Sequence, residues 1–295
     1  MRIIFIGTVE LSLHMLKNLI EEEQEIVGVI TSSDTGINSD YTDLGPISKK
    51  NKIPVVRTNN VNSQEMFHWM CELSPDVIFC IGWSRLVNKK ILEIPSIGVI
   101  GYHPAPLPQN RGRHPLIWAL VLGLERTAST FFFMDEGVDS GDILDQRTIP
   151  ITHDDNASTL YKKMIKIATE QIQNILPALI NGTYMRASQY QSESNIWRKR
   201  GEKDGVIDWR MGAKAIHNLI RGLSKPYLGA HFVIDGKEYK VWKSRVISCI
   251  NSENIEPGKV IFIGQDKIPC IRCGDDCIEL IDIEPELLIS KGDYL

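Results

Sequence analysis

The first thirty residues alternate short apolar runs with an amphipathic stretch, and this alternation limits the fold more than any other feature of the chain. Residues 2–7 and 25–31 are apolar enough to be buried on both faces, as strands of a parallel sheet are. Residues 10–21 between them have the apolar spacing of a helix. A strand, a helix and a strand in this order predict a parallel pair with a right-handed crossover, and therefore an α/β fold.

The same alternation continues along the chain, and we expect a Rossmann-like, mostly parallel sheet domain over residues 1–186. Gly7 stands alone after the first strand, so the glycine pattern of a dinucleotide-binding turn is missing and an NAD site is not indicated. Further strands are predicted at 54–56, 75–81, 97–102, 127–134 and 143–151, and helices at 63–73, 88–92, 115–122 and 156–180.

The last third of the chain has a different pattern. Residues 187–204 are polar and poorly periodic, which predicts a linker. Residues 205–295 begin with a helix and continue with short strands separated by turn signals, which is typical of a small OB-like β-barrel. The elements predicted here are a helix at 212–223 and strands at 230–234, 238–246, 257–263, 268–272 and 276–283.

Composition limits location and partners. The net charge of −4 does not indicate a general polyanion binder, and no apolar stretch is long enough to span a bilayer. The N-terminus lacks the pattern of a signal peptide, so we expect a cytoplasmic protein. The six cysteines favour free thiols over a disulfide framework. Three of them, Cys270, Cys273 and Cys277, resemble part of a zinc site, but a fourth ligand is missing, and we interpret them as small buried side chains rather than metal ligands.

The loop from Gly101 to Pro115 is the strongest functional signal. It reads G-Y-H-P-A-P-L-P-Q-N-R-G-R-H-P, and its four prolines exclude helix and central strand. His103 follows a predicted parallel strand, and ligands bind beyond the carboxyl ends of such strands. The loop is therefore a candidate active-site loop, with a surface crossover that carries an incidental histidine as the alternative.

Three further sets of residues could take part in the chemistry. Asp139, in the acidic turn D-E-G-V-D-S-G-D, could orient His103 as a proton shuttle, or it could only form the turn. Arg111 and Arg113 could bind a carboxylate or phosphate, or they could be solvated. Aromatic and basic side chains that could stack a nucleotide, with domain packing as the alternative favoured for Trp209, are Trp197, Arg198, Lys199, Arg200, Trp209, Arg221 and Tyr227.

Together these motifs resemble the folate-dependent formyltransferase family over nearly the whole chain. The resemblance starts at M-R-I-I-F-I-G-T and includes the H-P-A-P-L-P-Q-N-R-G-R-H-P loop and D-E-G-V-D-S-G-D-I-L. Downstream, K-R-G-E-K-D-G-V-I-D-W, I-H-N-L-I-R-G and P-Y-L-G-A are similar to motifs of methionyl-tRNA formyltransferases and of sugar N-formyltransferases of the lipid A aminoarabinose type.

The resemblance implies transfer of a formyl group from the co-substrate 10-formyltetrahydrofolate to a primary amine. It implies that His103 is the proton shuttle and Asp139 its partner. The folate site that it implies consists of Arg85, Leu86, Val87, Ala105, Pro106, Leu107, Pro108, Arg113, Asp135, Glu136, Gly137 and Val138.

One position departs from the family pattern, which places Asn two residues before the histidine as the oxyanion donor. Here that residue is Gly101. Loss of one such donor typically costs roughly two to three orders of magnitude in rate. Because the histidine, the aspartate and the folate loop are present, we expect a replacement: Asn110, a backbone N–H or protonated His103.

Charge favours a small amine over tRNA as the acceptor. Residues 201–295 carry 13 Lys and Arg against 15 Asp and Glu, a net charge of −2, whereas tRNA binding asks for a basic surface. Residues 32–46 also lack the basic, glycine-rich insertion associated with the tRNA enzymes. We predict a UDP- or dTDP-4-amino sugar, on a pathway of the pseudaminic-acid type, with no nucleic-acid or membrane partner and with a homodimer left open. The alternatives are a methionyl-tRNA formyltransferase and a non-catalytic folate- or nucleotide-binding protein.

Overall fold

The computed structural model describes residues 1–33, 40–249 and 254–295. The strands are β1 (Arg2–Gly7), β2 (Glu25–Thr31), β3 (Val55–Arg57), β4 (Val77–Ile81), β5 (Gly98–His103), β6 (Arg111–Gly112), β7 (Arg126–Phe133), β8 (Ile143–Pro150), β9 (Ile196–Trp197), β10 (Ala230–Ile234), β11 (Lys237–Ile247), β12 (Val260–Ile263), β13 (Pro269–Arg272) and β14 (Cys277–Glu284). The α-helices are α1 (Glu10–Glu21), α2 (Gly45–Lys50), α3 (Gln64–Leu73), α4 (Lys89–Leu92), α5 (Pro115–Val121), α6 (Ala157–Ile180) and α7 (Ala213–Gly222). Short 3₁₀-helices cover Gln191–Glu193, Glu202–Gly205 and Gln265–Lys267.

Seven strands form the main sheet in the order β3-β2-β1-β4-β5-β7-β8. β1 is parallel to β2 and β4, and β4 is parallel to β5, whereas β7 runs antiparallel to β5. The direction of winding reverses between β1 and β4, and at such a switch point the carboxyl ends of the strands border a crevice. The predicted Rossmann-like, mostly parallel sheet is confirmed.

The carboxyl end of β1 packs closely against α1, which explains the single glycine there. The side chains from Ile3 to Ile6 are fully buried. A Cβ on Gly7 would lie 2.5 Å from Ser12 Cβ and 2.7 Å from the Ile81 carbonyl oxygen. Ser12 Oγ donates to that oxygen at 2.6 Å, which ties α1 to the end of β4. Gly7 therefore serves close packing of a helix on two strands.

The chain divides into two compact units, which do not follow the chain order strictly. The first comprises Met1–Pro115, Thr127–Ile149 and Lys162–Trp197, and the second comprises Leu116–Arg126, Pro150–Tyr161 and Arg198–Leu295. Residues 187–197, part of the predicted linker, thus lie in the first unit. The predicted domain bounds of 1–186 and 205–295 stay a prediction.

The second unit contains a five-stranded antiparallel sheet in the order β10-β11-β14-β13-β12. The buried face of α7, with Ile216 and Ile220, belongs to the core of this unit. Trp209 is 7% exposed, and its ring centroid lies 5.5 Å from that of Phe232. The prediction of a helix plus a small OB-like β-barrel is confirmed as a helix with an antiparallel β-sheet, and Trp209 packs in the core of this unit as favoured.

The prediction of six free thiols is wrong for one pair. Cys249 and Cys277 form a disulfide, with their Cα atoms 5.7 Å apart. The reason is the register of β11 on β14, which pairs Ile247 with Cys277 and so brings Cys249, two residues further on, to the same place. Cys270 and Cys273 are buried free thiols, and burial raises the pKa of each to about 12.

No α-helix within the described ranges is long and apolar enough to cross a membrane. The cytoplasmic location and the homodimer are not tested by this observation. Residues 32–46 are predicted to lack the basic, glycine-rich insertion of the tRNA enzymes. Of these, residues 34–39 lie outside the described residues.

Candidate functional site

His103 ends β5, and its ring is held between two oxygen acceptors. The residue is 4% exposed. Nε2 lies 2.7 Å from the backbone oxygen of Asn110, and because a carbonyl oxygen can only accept, this contact assigns a proton to Nε2. Nδ1 lies 3.5 Å from Asp139 Oδ2. The structure thus brings together the two predicted catalytic residues, with Nδ1 facing the carboxylate.

Asp139 lies in the turn between β7 and β8. Its φ of +50° is a left-handed conformation that aspartate tolerates better than most residues. Its Oδ2 accepts a hydrogen bond from Gly112 N at 2.9 Å. Within the turn, Asp135 Oδ1 accepts from Gly137 N at 3.0 Å and from Ser140 Oγ at 2.7 Å. Asp135 therefore closes the turn, while the carboxylate of Asp139 reaches out of it to the loop after β5.

The two arginines of the R-G-R triplet have different surroundings. Arg111 is 4% exposed, and its guanidinium donates to Gln189 Oε1 at 2.6 and 3.1 Å and to Gln191 Oε1 at 2.7 Å. Arg113 is half-buried, and its Nη1 donates to the Ser84 carbonyl oxygen at 2.7 Å. Arg111 is thus enclosed by protein groups, whereas Arg113 lies beside the loop that carries residues 85–87.

The residues predicted to bind folate fall into a buried and an exposed group. Val87, Ala105 and Leu107 are at most 5% exposed, and their side chains belong to the core. The carbonyl oxygens of Ala105 and Leu107 accept from Thr130 Oγ1 at 2.7 Å and from Gln146 Nε2 at 3.0 Å, which fixes the loop on the sheet. The half-buried or exposed members are Arg85, Leu86, Pro106, Pro108, Arg113, Asp135, Glu136, Gly137 and Val138. The assignment of all twelve to folate stays a prediction.

Neighbouring side chains fill the space beside Gly101. A Cβ at this position would lie 2.9 Å from both Phe132 Cζ and Met134 Cγ, closer than side-chain carbons normally approach. On the other side, Cys80 pairs with Gly101 between β4 and β5, and burial raises the pKa of its thiol to about 12. A neutral thiol and two apolar side chains therefore surround the position where the family pattern has Asn.

Two side chains of the predicted linker 187–204, those of Gln189 and Asn195, form hydrogen bonds with residues of the site. β9 pairs in parallel with β6. Asn195 Oδ1 accepts from Asn110 N at 2.8 Å, and Gln189 Nε2 donates to the Asp139 carbonyl oxygen at 3.0 Å. The apolar periodicity of the sequence does not indicate these two residues. The available signal was the amide-rich run S-Q-Y-Q-S-E-S-N, since amides can satisfy donors and acceptors of two loops at once.

The aromatic residue that the basic cluster surrounds is Trp118 rather than the predicted Trp197. The guanidiniums of Arg198 and Arg200 lie 5.3 and 4.6 Å from its ring centroid. Both Nη atoms of Arg198 also donate hydrogen bonds to the carboxylate of Asp204. These hydrogen bonds hold the pKa of that carboxyl well below its usual range. Burial lowers the pKa of Arg200. Trp118, Arg198, Arg200 and Asp204 thus contact one another within the second unit, and the nucleotide-stacking alternative stays a prediction.

The first unit is an α/β unit in which a buried histidine and a carboxylate lie at the carboxyl edge of a mostly parallel sheet. Residues 1–176 match the family described as Formyl transferase, and residues 200–287 match Formyl transferase, C-terminal domain. The chain belongs to the formyl transferase family, and the predicted enzyme class, a folate-dependent N-formyltransferase, is confirmed.

The chain is similar to methionyl-tRNA formyltransferases in sequence and to N-formyltransferases of known structure in fold. The chain is 32% identical to a methionyl-tRNA formyltransferase of Caldanaerobacter subterraneus subsp. tengcongensis, over 97% of this chain and 93% of that protein. Its fold is similar to that of WlaRD, a sugar 3N-formyl transferase crystallised with dTDP and 5-N-formyl-THF (TM-score 0.72, 21% identity, 97% and 99% of the two chains). It is also similar to an N-formyltransferase from Helicobacter canadensis in complex with folinic acid and dTDP-3-aminofucose (TM-score 0.70, 20% identity, 94% and 98%). At these identities the structures establish the fold alone.

Proposed function

We propose that this chain transfers a formyl group from 10-formyltetrahydrofolate to the primary amine of a nucleotide-activated amino sugar. The observation that carries the proposal is the His103 ring, buried at a strand end with Nδ1 3.5 Å from Asp139 and Nε2 bound to a backbone oxygen. An amine that attacks a formyl group must lose a proton, and a positioned histidine is the side chain that most often takes it.

We infer that one ring nitrogen of His103, Nδ1, exchanges the proton. Nε2 already donates to Asn110, so the lone pair that can accept a proton is on Nδ1. Asp139 lies beside Nδ1 and stabilises the positive charge that the ring acquires. His103 then returns the proton to the leaving nitrogen of the folate as the bond to the formyl carbon breaks. Formyltetrahydrofolate supplies the activated formyl group, and the amine keeps it as a formamide.

Asn110 is the best-placed replacement for the missing oxyanion donor. Two hydrogen bonds fix its backbone: its N–H donates to Asn195 Oδ1, and its carbonyl oxygen accepts from His103 Nε2. Across the described residues its side-chain amide forms no hydrogen bond, so its N–H groups are available to a substrate oxygen. We assign to this amide the stabilisation of the negative charge that develops on the formyl oxygen.

Charge supports a nucleotide sugar as the acceptor. The net charge of −2 over residues 201–295 does not provide the basic surface that tRNA binding requires. The similar structures named above are sugar N-formyltransferases, and one of them holds a dTDP-3-amino sugar, so 3-amino sugars join the 4-amino sugars as candidates. The second candidate function, methionyl-tRNA formylation, is supported by the 32% identical relative, which is a methionyl-tRNA formyltransferase.

One turnover assay separates these functions. The protein is incubated with 10-formyltetrahydrofolate and, in separate reactions, with UDP- and dTDP-linked 3-amino and 4-amino sugars and with methionyl-tRNA, and released tetrahydrofolate is followed. Turnover with a sugar nucleotide and not with tRNA is expected. Turnover only with tRNA, with binding that weakens steeply as salt rises, would replace the first candidate by the second. Folate binding without turnover for any amine would favour the non-catalytic alternative.

A further inference from the structure

The side-chain amide of Gln189 lies between a buried arginine and the turn that carries Asp139. Its Oε1 accepts from Arg111 Nε at 3.1 Å and from Arg111 Nη2 at 2.6 Å. Its Nε2 donates to the carbonyl oxygen of Asp139 at 3.0 Å and to that of Gly141 at 2.6 Å. All four hydrogen-bonding positions of the amide are therefore used, two toward each side.

The Arg111 guanidinium, which contacts this amide, is unusual because its hydrogen-bond partners are neutral side chains. Arg111 is 4% exposed, and among the described residues its guanidinium is bound by Gln189 and Gln191 and by no carboxylate. A buried cation polarises the carbonyl that it contacts and strengthens the N–H donors at the other end of the same amide. Arg111 thus strengthens the hold of Gln189 on the turn.

The turn needs to be held because Asp139 has a left-handed backbone conformation, with φ of +50°. Gln189 binds the carbonyl of this residue and that of Gly141, while Gly112 N binds the carboxylate at 2.9 Å. We propose that Gln189 is a positioning residue: it fixes the backbone of Asp139 so that the carboxylate faces His103 Nδ1. The proposal rests on the catalytic pair of the proposed function.

Two roles for Gln189 must be separated, because the same side chain is also a partner of Arg111. Glutamate at this position separates them. A carboxylate keeps the bonds from Arg111, and adds an ion pair, but it has no N–H to donate to Asp139 or Gly141. Gln191 provides the matched control, since Q191E brings the same new charge to the same arginine and leaves the bonds to the turn intact.

The experiment compares wild type, Q189E and Q191E by steady-state kinetics with the amine that turns over, by folate binding and by thermal unfolding. We expect Q189E to fold and to bind folate as wild type does, with kcat lower by on the order of 100-fold, because misplacement by about 1 Å has effects of this size. We expect Q191E to keep the wild-type kcat. Wild-type kcat in Q189E would overturn the proposal, and so would an equal loss in Q191E, which would assign the effect to charge.

A second readout does not require turnover. The ¹⁵N resonances of the His103 ring, assigned by their loss in His103→Ala, report the group that faces Nδ1. We expect Q189E to shift the Nδ1 resonance and Q191E to leave it unchanged; an unchanged resonance in Q189E would overturn the proposal. Absence of turnover in wild type, together with a shifted resonance in Q189E, would contradict the proposed function and leave the positioning role supported.

Discussion

His103 Nδ1 and Asp139 Oδ2 lie 3.5 Å apart although 36 positions separate the two residues in the chain. The sheet order explains this proximity. His103 ends β5, and β7, which leads to the turn with Asp139, is the antiparallel neighbour of β5. A strand end and a turn on adjacent strands thus place an imidazole and a carboxylate at one edge, and the following predictions depend on this arrangement.

Replacing Asp139 by Asn should remove the negative charge of the side chain and keep its size and its hydrogen-bond acceptor. The amide oxygen of Asp139→Asn can still accept from Gly112 N, so the turn should keep its place. The negative charge beside Nδ1 is lost, and with it the stabilisation of the ring when it takes a proton. We expect kcat to fall by on the order of 100-fold, within the range typical of general acid–base catalysis, with the folate Kd nearly unchanged. Unchanged kcat in this variant would remove Asp139 from the mechanism.

Asn110→Gly tests the proposed oxyanion donor without disturbing the backbone. Asn110 has φ of +64°, which glycine adopts freely, and both of its backbone hydrogen bonds remain available. Removal of the amide should lower kcat by about 10²–10³-fold and change KM little. Gln109→Ala, which removes the exposed neighbouring amide, is the control. Equal kcat in Asn110→Gly and wild type would assign the oxyanion to a backbone N–H or to His103.

Gly101→Asn should not restore the donor of the family pattern. Its Cβ would lie 2.9 Å from Phe132 and from Met134, so the strand or both neighbours must move. Overpacking of this kind typically costs about 1–3 kcal/mol in the free energy of unfolding, and denaturant unfolding measures it. A variant as stable as wild type and more active would show that the space beside Gly101 is open to the donor.

The disulfide has a chemical and a thermodynamic signature. Oxidised protein unfolded in denaturant should show four free thiols, those of Cys71, Cys80, Cys270 and Cys273, and reduced protein six. The bridge spans 28 residues, and the conformational entropy that a loop of that length removes from the unfolded chain stabilises the fold by about 3.5 kcal/mol. Cys249→Ser should lower the free energy of unfolding by about this amount in oxidising buffer and hardly at all with reductant. Six titrated thiols in the oxidised protein would contradict the bridge.

Periodicity predicts most of the fold, because the longer strands and helices of the first unit each have their own apolar pattern. α1 and α6 agree with their predicted spans to within one residue at each end, and His103 falls at a strand end as expected. Polar segments carry no such pattern. Gln189 and Asn195 act through long-range hydrogen bonds to loops, and a single sequence does not indicate which loop an amide side chain contacts. The register that brings Cys249 to Cys277 is hidden for the same reason.

The most direct test of the account is a paired measurement on His103→Ala: single-turnover formyl transfer to the amino sugar that wild type uses, and the folate Kd on the same preparation. We expect the transfer rate to fall by about 10²–10⁴-fold, because the proton acceptor is gone, while the folate Kd stays within a few-fold of wild type. A transfer rate equal to that of wild type would show that the His103–Asp139 pair does not carry the reaction.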